Sequence, residues 1–289
     1  MYGLPFEVLT SSEETHYLIE DHAISYLSSA SLLKILRDAE QNTQPKKPFL
    51  AFADPKYPPC IAGNNSKTET LAQLRTDSYL KSVKGGCFTQ LKETADEVQN
   101  IANLLKANPK ESLYLGAQAS RSNLFALNDQ QKLDDYRYIM FSVHGVIPNN
   151  MNQIEQPALV LANPLKEGYL TMADAFALKL NADLVNLSAC NTGCVENSCS
   201  ENVRGEGIMG LTRAFMYAGT SRVAVTLWPV DVHSTKELNI GLFKYLKAKK
   251  QTAQALREIK LEMLQGRASK LEYAHPYHWA GVIIYGDGM

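Results

Sequence analysis

Two apolar runs in this chain each end in a side chain able to do acid–base or nucleophilic chemistry. YIMFSV (138–143) runs into His144-Gly145, and DLVNLSA (183–189) runs into Cys190, 46 positions after the histidine (190 − 144). A thiol is only slightly ionised at neutral pH, and an imidazole beside it can withdraw its proton. Such a pair supports acyl transfer. The oxyanion that forms needs donors, which the backbone N–H groups of Gly145 and Cys190 would supply. Gly145 also lets the main chain approach a substrate with no Cβ in the way. Each residue has an ordinary reading as well: His-Gly as a structural turn, and a strand-end cysteine as a small core residue. Cys190, Cys194 and Cys199 raise zinc as a third possibility. Their C-x3-C-x4-C spacing lacks the tight pairs of common structural sites, and no nearby histidine completes four ligands.

For His144 and Cys190 to meet, their strands must lie side by side and point the same way. Strand signals occur at 49–55, 136–145, 157–163, 182–190, 221–230 and 279–287. Several are apolar on consecutive residues, as in parallel strands covered on both faces. Helical patterns fall between them, at 31–40, 89–106, 120–128, 171–180, 205–218, 233–248 and 252–265. In the second of these, Leu91, Ala95, Val98, Ala102 and Leu105 recur at helical spacing. Thr171 is a plausible N-cap for the fourth. The alternation predicts an open α/β sheet, whose sites lie at the carboxyl edge of its strands. Two stretches, Gln41–Gly86 around FADP and Cys194–Arg204, read as long surface loops. The abrupt opening at Gly3-Leu4-Pro5-Phe6 suggests a fragment of a longer protein.

Composition narrows the function classes. The 289 residues carry a formal net charge of -1, with 45% hydrophobic and 20% charged residues. No broad electrostatic pull toward nucleic acid or membrane follows from that balance. No apolar stretch approaches the ~18 residues of a membrane span, and MYGLPFEVLTSSEE lacks the pattern of a signal peptide. Five cysteines, an odd number, with three between 190 and 199, favour free thiols in a reducing cytoplasm.

The motifs, in order, resemble the CHAT domain, a caspase-like peptidase family related to separase within the caspase–gingipain clan. The likeness runs through LPFEVL (4–9), YLIEDHAISYLSSASLLKIL (17–36), FADP (52–55) and TADEVQNIANLL. It continues through YIMFSVHG, ALVLAN, LTMADAFALKLNADLVNLSACNTG, GEGIMGLTRAFMYAGTSRVAVTLWPVD and HPYHWAGVIIYG. The general layout of histidine about 50 residues ahead of a strand-end cysteine is also that of caspases. The resemblance implies that His144 is the catalytic histidine, Cys190 the nucleophile and Gly145 the oxyanion glycine. It implies that Leu227–Asp231 walls the pocket for the residue before the scissile bond. Ser188, Trp228 and Asp231 are the candidate substrate-binding residues, Asp231 for a basic side chain. Ser188 stands where metacaspases carry an acid. Asp231 has a second reading, as the cap of the helix near His233. His233, His275 and His278 are expected to pack or to serve helix ends.

The implied fold is a caspase-like, mostly parallel sheet flanked by helices. An N-terminal pseudo-caspase half (1–110) would pack on a catalytic half (111–289). The implied activity is that of a cytoplasmic cysteine endopeptidase that needs no metal or cofactor. It would cleave a specific protein substrate in a regulated bacterial defence pathway, gasdermin-like or CRISPR-linked. Its partners would be that substrate and an upstream repeat domain or activating protein, with no direct binding to nucleic acid or membrane. The rival reading is a catalytically inactive caspase-like scaffold or binding module, which would need neither His144 nor Cys190.

Overall fold

A computed structural model describes residues 4–10, 16–39, 47–58, 88–146, 156–164, 167–189, 201–228, 231–268 and 270–289. Cys190, Cys194 and Cys199 lie outside these residues, as do most of the two expected loops. The strands are β1 (Lys47–Pro55), β2 (Leu113–Gly116), β3 (Tyr136–Ser142), β4 (His144–Val146), β5 (Ala158–Val160), β6 (Tyr169–Thr171), β7 (Leu184–Leu187), β8 (Arg222–Thr226) and β9 (Val282–Gly286). The helices are α1 (Leu18–Asp21), α2 (Ala30–Ala39), α3 (Lys92–Leu105), α4 (Pro109–Ser112), α5 (Arg121–Asp129), α6 (Met172–Phe176), α7 (Glu201–Tyr217), α8 (Val232–Lys247) and α9 (Thr252–Leu264).

Six strands form one sheet in the order β2-β1-β3-β7-β8-β9, parallel except for the antiparallel edge strand β9. Residues before and after position 110 share this sheet, since β1 lies between β2 and β3. The central strands are mostly apolar because both faces are covered. Leu50, Ile139, Phe141, Val185 and Val223 face a core closed by α5, α6 and α7. Ala51, Tyr138, Met140, Leu184 and Ala224 face the opposite core, closed by α3, α8 and α9. Phe52 stacks between Tyr114 and Phe141, with ring centroids 4.9 and 5.5 Å away. Burying an aromatic of this size contributes roughly 2–3 kcal/mol.

Most elements match the expected stretches to within a few residues, with three informative differences. The single strand expected over 136–145 breaks at Val143, and β4 starts a separate antiparallel sheet with β5 and β6. Helix α6 is shorter than 171–180, because the N–H groups of Lys179 and Leu180 bond Asn128 Oδ1 and the Ala218 carbonyl. Its start is as expected: Thr171 Oγ1 accepts from Asp174 N, and Asp174 Oδ2 accepts from Thr171 N, a reciprocal cap. Helix α7 begins at Glu201, four residues ahead of the expected 205 (205 − 201).

The N-terminal segment fastens to the far end of the chain. Tyr26 N–H donates to Ile284 O at 2.8 Å, and Gly286 N–H donates to Tyr26 O at 2.9 Å. Tyr26 hydroxyl donates to Glu7 Oε2, whose other oxygen accepts from Lys260 Nζ at 3.1 Å. The Lys260 side chain is fully buried, and that of Glu7 is 3% exposed. Arg257 bonds the carbonyls of Ile19 and Glu20, and Arg37 pairs with Asp287 at 2.8 Å.

Candidate active site

The sequence spacing of 46 has a structural meaning. β3 and β7 are adjacent and parallel, with Tyr138 opposite Leu184 and Phe141 opposite Leu187. Each pair differs by 46 (184 − 138; 187 − 141), the same interval that separates His144 from Cys190. Counted along the chain, both positions follow the last ladder pair by three residues (144 − 141; 190 − 187). Cys190 follows Ala189, the last described residue after β7.

His144 opens β4 opposite Val160, and Gly145 follows it opposite Leu159. The imidazole is 8% exposed. Tyr57 and Phe88 pack against it with ring centroids 5.5 Å away, and Tyr57 is pinned by donating its hydroxyl to Val160 O at 2.7 Å. Nε2 lies 2.8 Å from Thr89 O. A carbonyl only accepts, so Nε2 carries the ring proton and Nδ1 presents its lone pair. Nδ1 is buried and has no hydrogen-bond partner among the described residues. Burial pulls the imidazole below its usual pKa, and the Thr89 carbonyl opposes that shift. At neutral pH the ring is thus a neutral base with a fixed tautomer and one acceptor without a partner among the described residues.

The other expected site residues take varied places. Ser188 is buried, and its hydroxyl accepts from Asn239 Nδ2 at 3.0 Å. Trp228 is half-buried; its Nε1–H donates to Tyr277 O at 3.1 Å. Its ring lies so close to Gly281 that a Cβ there would sit 2.8 Å from Trp228 Cε2. Asp231 caps α8: one carboxylate oxygen, Oδ1, accepts from His233 N at 3.1 Å and Ser234 N at 3.0 Å. Of the three histidines expected in structural roles, His275 accepts from Tyr277 N, and His278 Nδ1 lies 3.1 Å from Ser234 Oγ.

A buried polar cluster beside the site escaped the sequence reading. Glu97 on α3, 3% exposed, accepts from Ser142 Oγ and from Asn239 Nδ2, both at 2.7 Å. Asn239 Oδ1 in turn accepts from Asn186 Nδ2 at 2.9 Å. Burial pushes the Glu97 carboxyl above the ordinary carboxylate range, against those hydrogen bonds and the charge of Lys236. The signal was present. The buried face of α3 runs Thr94, Glu97, Val98, Ile101, Ala102, so a glutamate stands in the middle of the stripe.

Against known proteins, the CHAT domain family model matches residues 1–287. This chain belongs to the CHAT domain family. Its mostly parallel six-stranded sheet, flanked by helices, is consistent with a caspase-like, protease-related fold. Tetratricopeptide repeat protein 28 of Homo sapiens is 24% identical over 302 residues, which take in 100% of this chain and 12% of that protein. Tetratricopeptide repeat protein 28 of Mus musculus is 33% identical over 130 residues, 44% of this chain and 5% of that protein. This CHAT domain chain thus spans about an eighth of the length of the human relative. Among its described residues no helix is long and apolar enough to cross a membrane.

Proposed function

We propose that this CHAT domain is a cysteine endopeptidase with a His144–Cys190 dyad. The observation that carries the reading is the imidazole's geometry just past the carboxyl end of β3. Nε2 is held by Thr89 O, Nδ1 has no partner among the described residues, and the interval from His144 to Cys190 equals the β3–β7 register offset of 46.

In this mechanism Nδ1 of His144 takes the proton from the Cys190 thiol, and the thiolate sulfur attacks the carbonyl carbon of the scissile bond. The Gly145 and Cys190 N–H groups hold the oxyanion. As the C–N bond breaks, the imidazolium returns the proton from Nδ1 to the leaving amine. A water then loses its proton to Nδ1 and displaces the sulfur from the acyl group, regenerating the thiol. The Nε2–H···O=C bond to Thr89 persists through both halves and favours the imidazolium. Trp228 and Asp231 serve the substrate pocket in this proposal. Ser188 borders it from within the core.

The substrate is one specific protein. The partner is an upstream repeat domain, and for a repeat context alone the names of the two relatives give support. A defence setting and a cytoplasmic location draw on the motif resemblance and the cysteine usage. The test is cleavage of arginine, leucine and aspartate peptides, and of proteins co-expressed with the domain, by wild type, Cys190→Ala and His144→Ala. Activity that persists without Cys190 excludes the peptidase and favours the scaffold reading. Asp231→Ser keeps a cap and removes the charge; an arginine preference that survives it excludes Asp231 from the pocket.

A further inference from the structure

The backbone ladder between β3 and β7 ends at Phe141–Leu187. The next pair in register is Ser142 and Ser188 (142 + 46), two residues ahead of positions 144 and 190. There the two strands are joined by side chains. Ser142 Oγ donates to Glu97 Oε2, Asn239 Nδ2 donates to Glu97 Oε1, and the same amide donates to Ser188 Oγ. Asn186, one turn of the pleat earlier, holds Asn239 by its other end. We propose that this buried rung, centred on Glu97, is the positioning device that keeps level the ends of β3 and β7, from which the chain runs on to His144 and to Cys190. The inference rests on the dyad reading.

Three features separate this role from ordinary core packing. The rung occupies the level just past the last backbone pair, where the strands diverge: β3 stops at Ser142 and His144 joins the second sheet. Its members come from four elements, α3, β3, β7 with the residue after it, and α8. A buried carboxyl is also an unfavourable choice for stability alone, since an apolar side chain of equal bulk commonly holds a core as well or better. What hydrogen bonds add over apolar contact is direction: two carboxylate oxygens and one amide fix the heights of both strand ends to within a fraction of an ångström. Displacement of a reacting group by about 1 Å can cost ~100-fold in rate.

The experiment follows alkylation of Cys190 by iodoacetamide across pH 5 to 9. The modified peptide is read by mass spectrometry in folded protein whose near-UV circular dichroism is unchanged. Wild type should react with an apparent pKa below that of a free thiol, and His144→Ala should abolish the shift. Glu97→Ala should move the profile most of the way toward that of His144→Ala and slow the reaction at pH 6.5 by about 30–100-fold. Glu97→Gln, which can accept from Asn239 and donate to Ser142, should stay within about 3-fold of wild type. Should Glu97→Ala fail to fold, Ser142→Ala removes one arm with little loss of volume and should slow alkylation about 10-fold. A folded Glu97→Ala or Ser142→Ala protein with the wild-type profile overturns the positioning role, as does a Glu97→Gln protein as slow as Glu97→Ala. Identical profiles for wild type and His144→Ala overturn the dyad itself, a different pattern from either.

Discussion

The Glu7–Lys260 pair offers a sharp test of how the N-terminal segment is held. The ammonium is fully enclosed, 3.1 Å from a carboxylate that is nearly so. At an effective dielectric near 20, two unit charges at that distance attract by about 5 kcal/mol, while desolvation costs several kcal/mol per ion. The pair as a whole therefore contributes close to nothing relative to apolar side chains of the same bulk. Removing one member is another matter. Lys260→Met leaves the Glu7 carboxylate buried with the Tyr26 hydroxyl as its remaining donor among the described residues, and should cost about 3–5 kcal/mol. At roughly 2.1 cal/mol/K of unfolding entropy per residue, 289 residues convert that loss to a fall in Tm of about 5–8 °C. Glu7→Leu should cost a similar amount by stranding the ammonium, whose pKa burial already pulls down. The double substitution should return to within about 1.5 kcal/mol of wild type, giving a strongly favourable coupling energy. Urea unfolding of the four proteins at pH 7 measures the cycle. Additive single losses, or a Lys260→Met loss under about 1 kcal/mol, would refute the account.

Three further outcomes concern Gly241, Glu97 and His144. Gly241→Ala on α8 should destabilise by about 1–2 kcal/mol in thermal unfolding. The helix gains about 1 kcal/mol from the substitution, but the new Cβ overlaps Ile259 of α9, reaching 3.0 Å from its Cβ and closer to its outer atoms. Glu97→Gln should gain stability over wild type as pH rises above the carboxyl's ordinary 4.5. A folded-state pKa that is raised contributes stability below the unfolded value and loses it as pH climbs. Urea midpoints that run parallel from pH 4 to 8 would count against a buried, titrating carboxyl. His144 has the opposite sign: its lowered pKa means that the neutral ring is favoured in the fold, so stability is lost as pH falls below 6.5. The stability gap between wild type and His144→Ala should narrow from pH 7.5 to pH 5, and a constant gap would contradict the buried neutral imidazole.

The strands that lead to His144 and Cys190 were legible because apolar runs marked them. The interval of 46 from His144 to Cys190 equals the offset of the ladder between β3 and β7, Tyr138–Leu184 to Phe141–Leu187. The break at Val143 was hidden because Phe141 to Val146 carries no proline, and its one glycine follows the break. β6 was masked by the cap that it shares with α6: Tyr169–Thr171 is too short to show a period of its own. The helix α3 was found but phased one residue off, since Leu91, Ala95 and Leu105 outweighed Thr94 and Glu97 in an apolar count. A carboxyl in a buried stripe reads as noise unless its donors are known, and Ser142 and Asn239 are 45 and 142 residues away.

The fastening of Tyr26 to β9 has a consequence for how the chain is made. Tyr26 takes its backbone partners from Ile284 and Gly286, so 258 residues (284 − 26) must be added before that bridge can close. At about 5–20 residues per second of synthesis, the segment around Tyr26 waits roughly 10–50 s for its partner. β1, β3, β7 and β8 are all complete while the outer edge of β8 is still bare. A nascent chain therefore holds the strand ends that carry His144 and Cys190 well before it holds the strand that seals the sheet. Ribosome-bound chains stopped between β8 and β9 are the form in which this domain is most open to proteolysis and to mispairing with a neighbour.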